Sequence, residues 1–338
     1  MKIKRFTLIF LSLALAALQA MSQSIANGYS VGTWSGFRTA AASFTFDDNA
    51  PSHTSVVAPL FNEYGYKATF NVVINWMDQS NQWSAFQTLA NKGHEIASHT
   101  VTHSQQTSAD ELSSSKSTIN QNITGQDCNT IAYPYCNVPS DRNALAQNYI
   151  GGRVCDGQVM GKTPNDYFQL SAITTGSEAN FTDSSKFASS MQSAVSKGGW
   201  VVFLTHGIQN ETNGNATYSP TPISAIRGAL KWAKANDSKI WVTTFRNAIL
   251  YAKERDALSL AETTESSKLK LTASVNITSS VVEYNYPITV RRQMPNGWTN
   301  FAAATNNTDI EVKIITVGST KYAQFDVIPG KTYYLEDR

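Results

Sequence analysis

The chain has 338 residues, which at roughly 150 residues per domain predicts one large domain or two smaller ones. Hydrophobic residues make up 41% of it, enough to build a core, which argues against wholesale disorder. The formal net charge is +2, and without the three cations Lys2, Lys4 and Arg5 it becomes −1. A strongly basic surface is therefore excluded as the organising feature, and we expect no nucleic-acid partner.

The first 22 residues have the pattern of a secretion signal. A basic segment (residues 1–5) precedes an apolar stretch (residues 6–17) that is short for a membrane span. Ala20-Met21-Ser22 supplies small residues for cleavage before Gln23. We expect a signal peptide over residues 1–22 and an exported protein (periplasmic, cell-surface or secreted) with no integral membrane segment after its removal. An uncleaved N-terminal anchor is the alternative.

Residues 41–251 alternate short apolar runs with helical patterns. Strands are predicted over residues 43–46, 67–73, 94–98, 129–135, 152–155, 200–205 and 239–245, and helices over residues 110–123, 184–197 and 223–236. Apolar strands separated by helices are typical of a parallel sheet covered on its outer side. Seven such units predict a distorted (β/α)7-type barrel.

The pattern changes after about residue 260. Residues 261–267 are polar and are interpreted as a linker, and period-two stretches follow over residues 269–275, 286–292, 310–317 and 322–328. Pro295-Asn296-Gly297 and Pro329-Gly330 are interpreted as hairpin turns. We therefore predict a barrel over residues 23–260 and a small antiparallel β accessory domain over residues 268–338.

Three cysteines are an odd number for a protein of an oxidising compartment. If residues 129–135 form a strand, Cys128 and Cys136 lie about 26 Å apart at ~3.3 Å per residue and cannot pair. Cys136 and Cys155 would lie at the ends of successive parallel strands. One disulfide between them with Cys128 free is the simplest hypothesis, and three free thiols are the alternative.

Acids and histidines follow the predicted strands. Asp47-Asp48, the pair His99 and His103, and His206 each come at the carboxyl end of a different strand, where the side chains of a β/α barrel converge. Taken singly, each has an ordinary structural explanation, such as a turn or a hydrogen-bonded histidine. Three coincidences at one rim favour a functional site.

The chemistry of this set indicates a metal-dependent hydrolase. Two neutral imidazoles and one carboxylate suit zinc with positions left open, although other transition metals are possible. Such a cation activates water at neutral pH, a second carboxylate can act as base, and a further histidine can protonate the leaving group. Thr100 follows His99, so the His-Glu-x-x-His pattern of common metallopeptidases is absent.

Several ordered motifs resemble the polysaccharide deacetylases, also called NodB-homology or carbohydrate esterase family 4 proteins. The resemblance runs from about residue 41 to residue 255. The matching stretches are Thr45-Phe46-Asp47-Asp48, Lys67-Ala68-Thr69-Phe70, Gly93-His94-Glu95-Ile96, His99-Thr100-Val101-Thr102-His103, Ala132-Tyr133-Pro134-Tyr135 and Leu204-Thr205-His206. It implies metal-dependent removal of acetyl groups, as amides or esters, from an acetylated polysaccharide or oligosaccharide.

Carried over by position, the resemblance implies a role for each matching residue. Asp47 resembles the catalytic base and His206 the general acid, while the backbone N–H of Tyr135 would help to hold the oxyanion. The implied metal ligands are Asp48, His99 and His103.

The sequence departs from the family at one important place. Ala132 stands where the third motif has an arginine that pairs with the base. Arg153, on the next predicted strand, is expected to supply that charge by reaching Asp47 in a bidentate pair. The departure also leaves open an alternative, a catalytically impaired carbohydrate-binding protein on the same fold.

Three further side chains have weaker signals. Trp76 follows a strand and is a candidate substrate-binding ring, although a partly buried loop aromatic explains it equally well. His94 is expected to pack and to hydrogen-bond backbone. His53 is expected to be a surface loop residue rather than a ligand. No clear Asp-x-x-Asp-Trp motif is present.

Overall fold

The computed structural model describes residues 23–209 and 218–338, so the predicted signal peptide lies outside the described residues. No helix within those residues is long and apolar enough to cross a membrane. The strands are β1 (Ser24–Ile25), β2 (Tyr29–Val31), β3 (Ala40–Asp47), β4 (Thr69–Val72), β5 (Glu95–Ser98), β6 (Thr130–Ala132), β7 (Gly151–Arg153), β8 (Ile173–Thr174), β9 (Trp200–Thr205), β10 (Ile240–Val242), β11 (Leu258–Glu265), β12 (Lys268–Val275), β13 (Ile288–Gln293), β14 (Phe301–Thr305), β15 (Thr308–Asp309), β16 (Lys313–Val317), β17 (Thr320–Val327) and β18 (Thr332–Asp337). The helices are α1 (Ala58–Glu63), α2 (Ile74–Ser80), α3 (Trp83–Asn91), α4 (Ala109–Asn122), α5 (Arg142–Asn148), α6 (Ser184–Lys197), α7 (Ile223–Ala235) and α8 (Phe245–Ala257).

Seven parallel strands form a barrel. Neighbours run in the order β7-β6-β5-β4-β3-β9-β8. The residues just before β8 close the ring, because the N–H of Val154, at the end of β7, donates to the carbonyl of Leu170, and the N–H of Ala172 donates to the carbonyl of Val154. All eight residues of β3, at the centre, are buried, as expected for a strand covered on both faces. The predicted distorted (β/α)7-type barrel is confirmed.

The seventh strand is not the predicted one. The strand predicted at residues 239–245 corresponds to β10. Among the described residues, β10 pairs with the first residues of β3, whose other side pairs with β9. The ring is completed instead by β8, which pairs with β9, and by the residues just before it, which bond to β7. The two residues of β8 are too few to show a hydrophobic period. The barrel is distorted because two strands share one side of β3. Strand β10 pairs with its first residues and β4 with its last.

The C-terminal residues form two antiparallel sheets, in the strand orders β11-β12-β18-β14-β15 and β16-β17-β13. The sheets pack against each other, with the rings of Phe301 and Phe325 stacked at 6.0 Å between centroids. The turns at residues 295–297 and 329–330 connect strands of different sheets, so the prediction of hairpins there is wrong. Turn residues reveal a reversal of the chain but not which strand the chain then pairs with.

The barrel and the C-terminal sheets share contacts. Residues 261–265, predicted as part of a linker, continue β11 and pair with β12 along its length, because Leu258 and Leu260 start an alternating strand directly after α8. Near the N-terminus, β1 adds to β11 and β2 adds to β13. One buried cluster contains Trp34 and Trp200 together with side chains of β12, β13 and β18. The division into a barrel and an accessory domain therefore stays a prediction.

Candidate active site

The predicted site residues converge at one end of the barrel. Asp47 ends β3, His99 follows β5 and His206 follows β9, so parallel pairing brings them to the same mouth. They border a cavity of about 610 Å³. Its lining residues are Asp47, Asp48, Trp76, His99, His103, Tyr133, Tyr135, Cys136, Cys155, Thr174, Leu204, His206 and Tyr218.

Asp48, His99 and His103 offer one ligand atom each within 4.8 Å of one another. Asp48 Oδ1 lies 3.5 Å from His99 Nε2 and 3.7 Å from His103 Nε2. This carboxylate oxygen is buried and has no hydrogen-bond partner among the described residues. A buried oxygen facing two imidazole nitrogens is costly without a cation, so the donor set fits a divalent metal.

The protonation of His99 suits a ligand. Its Nδ1 donates to the carbonyl of Ala132 at 2.8 Å, which leaves the lone pair of Nε2 directed at Asp48. Burial lowers the pKa of His99 to about 4, so the ring is neutral at neutral pH. Burial and the negative charge of Asp47 raise the pKa of Asp48, and a bound cation would reverse that effect.

Two irregular loops position Asp48, His99 and His103. Asp48 and Asn49 have φ of +75° and +52°, a left-handed conformation that these short polar side chains tolerate. The Asn49 side chain fixes this turn by hydrogen bonds to the N–H and carbonyl of Val73. The loop from His99 to His103 is not helical, and Glu111 of α4 anchors it by accepting from the N–H of Val101 at 2.7 Å.

Asp47 is held by two neighbouring strands. Asn71 on β4 donates to Asp47 Oδ1 at 2.7 Å, and Arg153 Nη2 contacts both carboxylate oxygens. Both Asp47 and Arg153 are buried. Burial alone would raise the pKa of Asp47, but the charge and hydrogen bond of Arg153, together with the neighbouring His99 and His206, outweigh it and hold that pKa well below its usual range. A carboxylate in this state stays ionised and can accept a proton.

The predicted contact of Arg153 with Asp47 is therefore confirmed, but its bidentate geometry is wrong. Only Nη2 takes part, and Arg153 Nε has no hydrogen-bond partner among residues 23–209 and 218–338. The reason is the starting point of the side chain. Arg153 is the registered neighbour of Ala132, one strand further from Asp47, so it reaches the carboxylate end-on.

His206 follows β9 and approaches Asp48, with Nε2 3.9 Å from Asp48 Oδ2. Its Nδ1 is buried and has no hydrogen-bond partner in the described parts of the chain. The ring of Tyr218 stands edge-on to it at 5.1 Å between centroids. Burial lowers the pKa of His206.

His53 is not the surface loop residue that the sequence analysis expected. It is fully buried, stands edge-on to Phe46, and donates from Nε2 to the carbonyl of His206 at 3.0 Å. The expectation for His94 is confirmed, since its Nδ1 accepts from the N–H of Ala68 in the core. Neither role leaves a distinct trace in the sequence, where His53 stands between a serine and a threonine and His94 between a glycine and a glutamate.

Aromatic rings surround the outer part of the cavity. Trp76 on α2 and Tyr135 both lie against the His103 ring, with centroids at 5.0 and 4.9 Å. Tyr135 and Tyr218 are more than half exposed. Flat rings at an open mouth are typical of surfaces that stack against sugars. The sequence analysis missed Tyr218, because it belongs to no motif.

The cysteine hypothesis is confirmed. Cys136 and Cys155 form a disulfide with Cα atoms 5.7 Å apart, and Cys128 is a buried free thiol. Strand pairing of β6 with β7 brings the two ends together, as expected.

One part of the barrel matches a known protein family. Residues 37–150 match the family model described as polysaccharide deacetylase. This match confirms the resemblance seen in the motifs for residues 37–150, which contain Asp47-Asp48 and the pair His99 and His103.

Individual relatives are more distant. A gellan lyase from Bacillus sp is 24% identical over 330 residues, which cover 89% of this chain but 13% of that protein, so the chain spans about an eighth of that relative's length. The Xyl-CE4 domain of a multidomain xylanase from the hindgut metagenome of Trinervitermes trinervoides is 22% identical, covering 62% of this chain and 89% of that one, with a TM-score of 0.43. The catalytic domain of a peptidoglycan N-acetylglucosamine deacetylase from Eubacterium rectale is 20% identical, covering 64% and 93%, also with a TM-score of 0.43.

Proposed function

We propose that the protein is a metal-dependent hydrolase that removes acetyl groups from a polysaccharide or oligosaccharide. The observation that carries the proposal is Asp48 Oδ1, which has no hydrogen-bond partner among the described residues and faces the Nε2 atoms of His99 and His103 inside the cavity. A divalent cation held by these three residues would supply a Lewis acid for the hydrolysis. Zinc suits the two imidazoles and one carboxylate best.

The other residues have distinct proposed roles. Asp47, kept ionised by Arg153, takes the proton of the attacking water. The backbone N–H of Tyr135 donates to the oxyanion, which a fixed donor stabilises more strongly than water does. His206 gives a proton to the departing nitrogen or oxygen. Trp76 is proposed to hold the sugar by its ring, at the wall of the cavity.

The direct test is acetate release from acetylated xylan, chitin oligomers and peptidoglycan, with and without a chelator. We expect release from at least one substrate, loss of release with the chelator, and recovery on adding zinc. Asp48→Asn should abolish release, whereas Asp309→Asn, at an exposed ion pair with Arg338, should not. Retained activity of Asp48→Asn would rule out the proposed metal site.

The alternative is a catalytically impaired carbohydrate-binding protein. This alternative is suggested by Ala132, which stands where the family has an arginine. The contact of Arg153 with Asp47 argues against it, because Arg153 supplies the missing positive charge. The two proposals differ in one measurement. Binding of the acetylated glycan without any acetate release, by protein that contains its full complement of metal, would favour the alternative.

We further propose that the protein is exported after removal of residues 1–22. The support is the basic and apolar N-terminal pattern and the disulfide, since disulfides persist in oxidising compartments. Determination of the N-terminal residue of protein recovered from outside the cytoplasm should give Gln23. Recovery of the intact chain in the membrane fraction would support the uncleaved anchor instead.

A further inference from the structure

The disulfide lies beside the reacting groups rather than in a remote loop. Cys136 ends the short 3-10 turn that follows β6, and Cys155 lies two residues beyond the end of β7. Both cysteines line the cavity. The bridge therefore joins the mouths of two neighbouring barrel strands.

The turn that it joins has an unfavourable backbone. Tyr135 and Cys136 have φ of +54° and +60°, two consecutive left-handed residues that both carry a Cβ. Two turn hydrogen bonds hold this segment, from Cys136 N–H to the carbonyl of Tyr133 and from Asn137 N–H to the carbonyl of Pro134. The direction of the Tyr135 N–H depends on this conformation, so whatever holds the turn also aims that donor.

The other half of the disulfide, Cys155, lies two residues after Arg153, which contacts the proposed base Asp47. Arg153 is the last residue of β7 and contacts Asp47, and its carbonyl accepts from the N–H of Tyr133 at 3.3 Å. The disulfide thus links the turn that contains Tyr135 to the strand that supplies the cation for Asp47.

We propose that the Cys136–Cys155 disulfide is a positioning element that keeps the Tyr135 backbone in its left-handed conformation for the reaction. This inference rests on the proposed function, in which the Tyr135 N–H stabilises the oxyanion. Cys128 has no such role, because it is a buried free thiol of the hydrophobic core whose sulfur donates to the carbonyl of Thr130 at 3.8 Å.

Two variants that both lack the disulfide test whether the backbone conformation of the turn matters, apart from the covalent cross-link itself. One combines Cys136→Gly with Cys155→Ser, and the other combines Cys136→Val with Cys155→Ser. Glycine adopts positive φ freely, whereas a β-branched valine resists it. We expect kcat of the valine variant to be about tenfold lower than that of the glycine variant, with equal KM and equal bound metal. Cys128→Ser should match the wild type.

Amide hydrogen exchange gives a readout that does not depend on activity. In the valine variant, the amides of residues 135–137 should exchange faster than in the wild type, while those of β3 and β5 should not change. Should the valine variant fail to fold, Cys136→Ser with Cys155→Ser takes its place. We expect its kcat to lie below that of the glycine variant as well.

The outcomes distinguish this inference from the function on which it rests. A wild-type protein that releases no acetate from any substrate would overturn the proposed function, and exchange at residues 135–137 would still decide the positioning role. Equal kcat for the glycine and valine variants of an active enzyme would overturn the inference, as would unchanged exchange at these residues.

Discussion

Arg153 Nη2 lies against both carboxylate oxygens of Asp47, with the two residues on non-adjacent strands of the barrel and both buried. Strand β6, which pairs with β7, ends in Ala132, and Ala132 is in register with Arg153. Ala132 itself presents no charge to Asp47, and Arg153 supplies it. Ala132 and Arg153 are therefore best considered together: the guanidinium that pairs with Asp47 comes from β7 rather than from β6.

Removing the guanidinium should damage catalysis without removing the metal. Breaking a buried ion pair costs about 3–5 kcal/mol, because it leaves an uncompensated charge. We expect Arg153→Ala to lower kcat by about 100-fold or more with unchanged metal content, measured by acetate release and elemental analysis. Since only one nitrogen contacts Asp47, Arg153→Lys should recover a substantial part of kcat. Wild-type turnover of Arg153→Ala would show that Asp47 needs no cation.

Moving the arginine back to the neighbouring strand tests the same idea in reverse. Because Ala132 and Arg153 are registered on adjacent strands, Ala132→Arg combined with Arg153→Ala should regain at least tenfold of the kcat lost by Arg153→Ala alone. Ala132→Arg by itself is the control and should impair the enzyme, since two guanidinium groups would compete for one buried carboxylate. A double variant no better than Arg153→Ala would contradict this.

Metal binding should stabilise the fold through Asp48, His99 and His103. A ligand at 100 times its Kd adds about 2.7 kcal/mol to the free energy of unfolding. We therefore expect zinc to raise the Tm of the chelator-treated wild type, followed by scanning calorimetry. His99→Ala should abolish this rise, whereas His94→Gln, which changes a buried histidine away from the cavity, should keep it. An equal rise in Tm with zinc for His99→Ala would place the metal elsewhere.

The ring of Tyr218 should matter through its contact with His206 and its exposure at the mouth. An edge-on aromatic contact contributes about 0.5–1.5 kcal/mol beyond its buried area. We expect Tyr218→Ala to lower kcat/KM by about three- to tenfold and Tyr218→Phe to leave it nearly unchanged, because the ring makes the contact. A defect in the phenylalanine variant as large as in the alanine variant would indicate a role for the hydroxyl group instead.

Much of the candidate site could be predicted because strand ends can be recognised in the sequence. A buried strand such as β3 shows as an apolar run, and the polar residues that follow it, Asp47 and Asp48, must lie at the mouth of a parallel barrel. The cysteine pairing followed from the same rule. The contact of Arg153 with Asp47 required only the additional knowledge that a cation was missing at Ala132.

The rest depends on contacts that leave no local pattern. His53 holds the carbonyl of His206, 153 residues away, and Tyr218 packs on the same histidine. Strand β8 is two residues long, so only its pairing with β9 defines it. Pairing of β1 with β11 joins distant parts of the chain, and hydrophobic periodicity does not reveal which strands become neighbours.

Glu254 gives a pH dependence of stability that is independent of the active site. It is fully buried at the end of α8, where Oε2 accepts from the N–H of Tyr286 at 2.8 Å and Oε1 has no hydrogen-bond partner among the described residues. Burial raises the pKa of Glu254 from 4.5 to about 8. Between these values the folded state keeps a proton that the unfolded state has released, so this residue makes the protein less stable as the pH rises from about 4.5 to 8.

Glu254→Gln should remove this contribution, because the amide is neutral at every pH and can still accept from the N–H of Tyr286. We expect the variant to gain stability relative to the wild type as the pH rises from 5 to 8, by roughly 2–4 kcal/mol in the free energy of unfolding. Urea denaturation at pH 5, 6.5 and 8 measures the difference, and Glu311→Gln, at an exposed carboxylate, is the control. A constant difference between wild type and Glu254→Gln across this range would show that Glu254 is ionised in the folded protein at pH 5. The unpartnered Oε1 would then have to be satisfied by water reaching the end of α8.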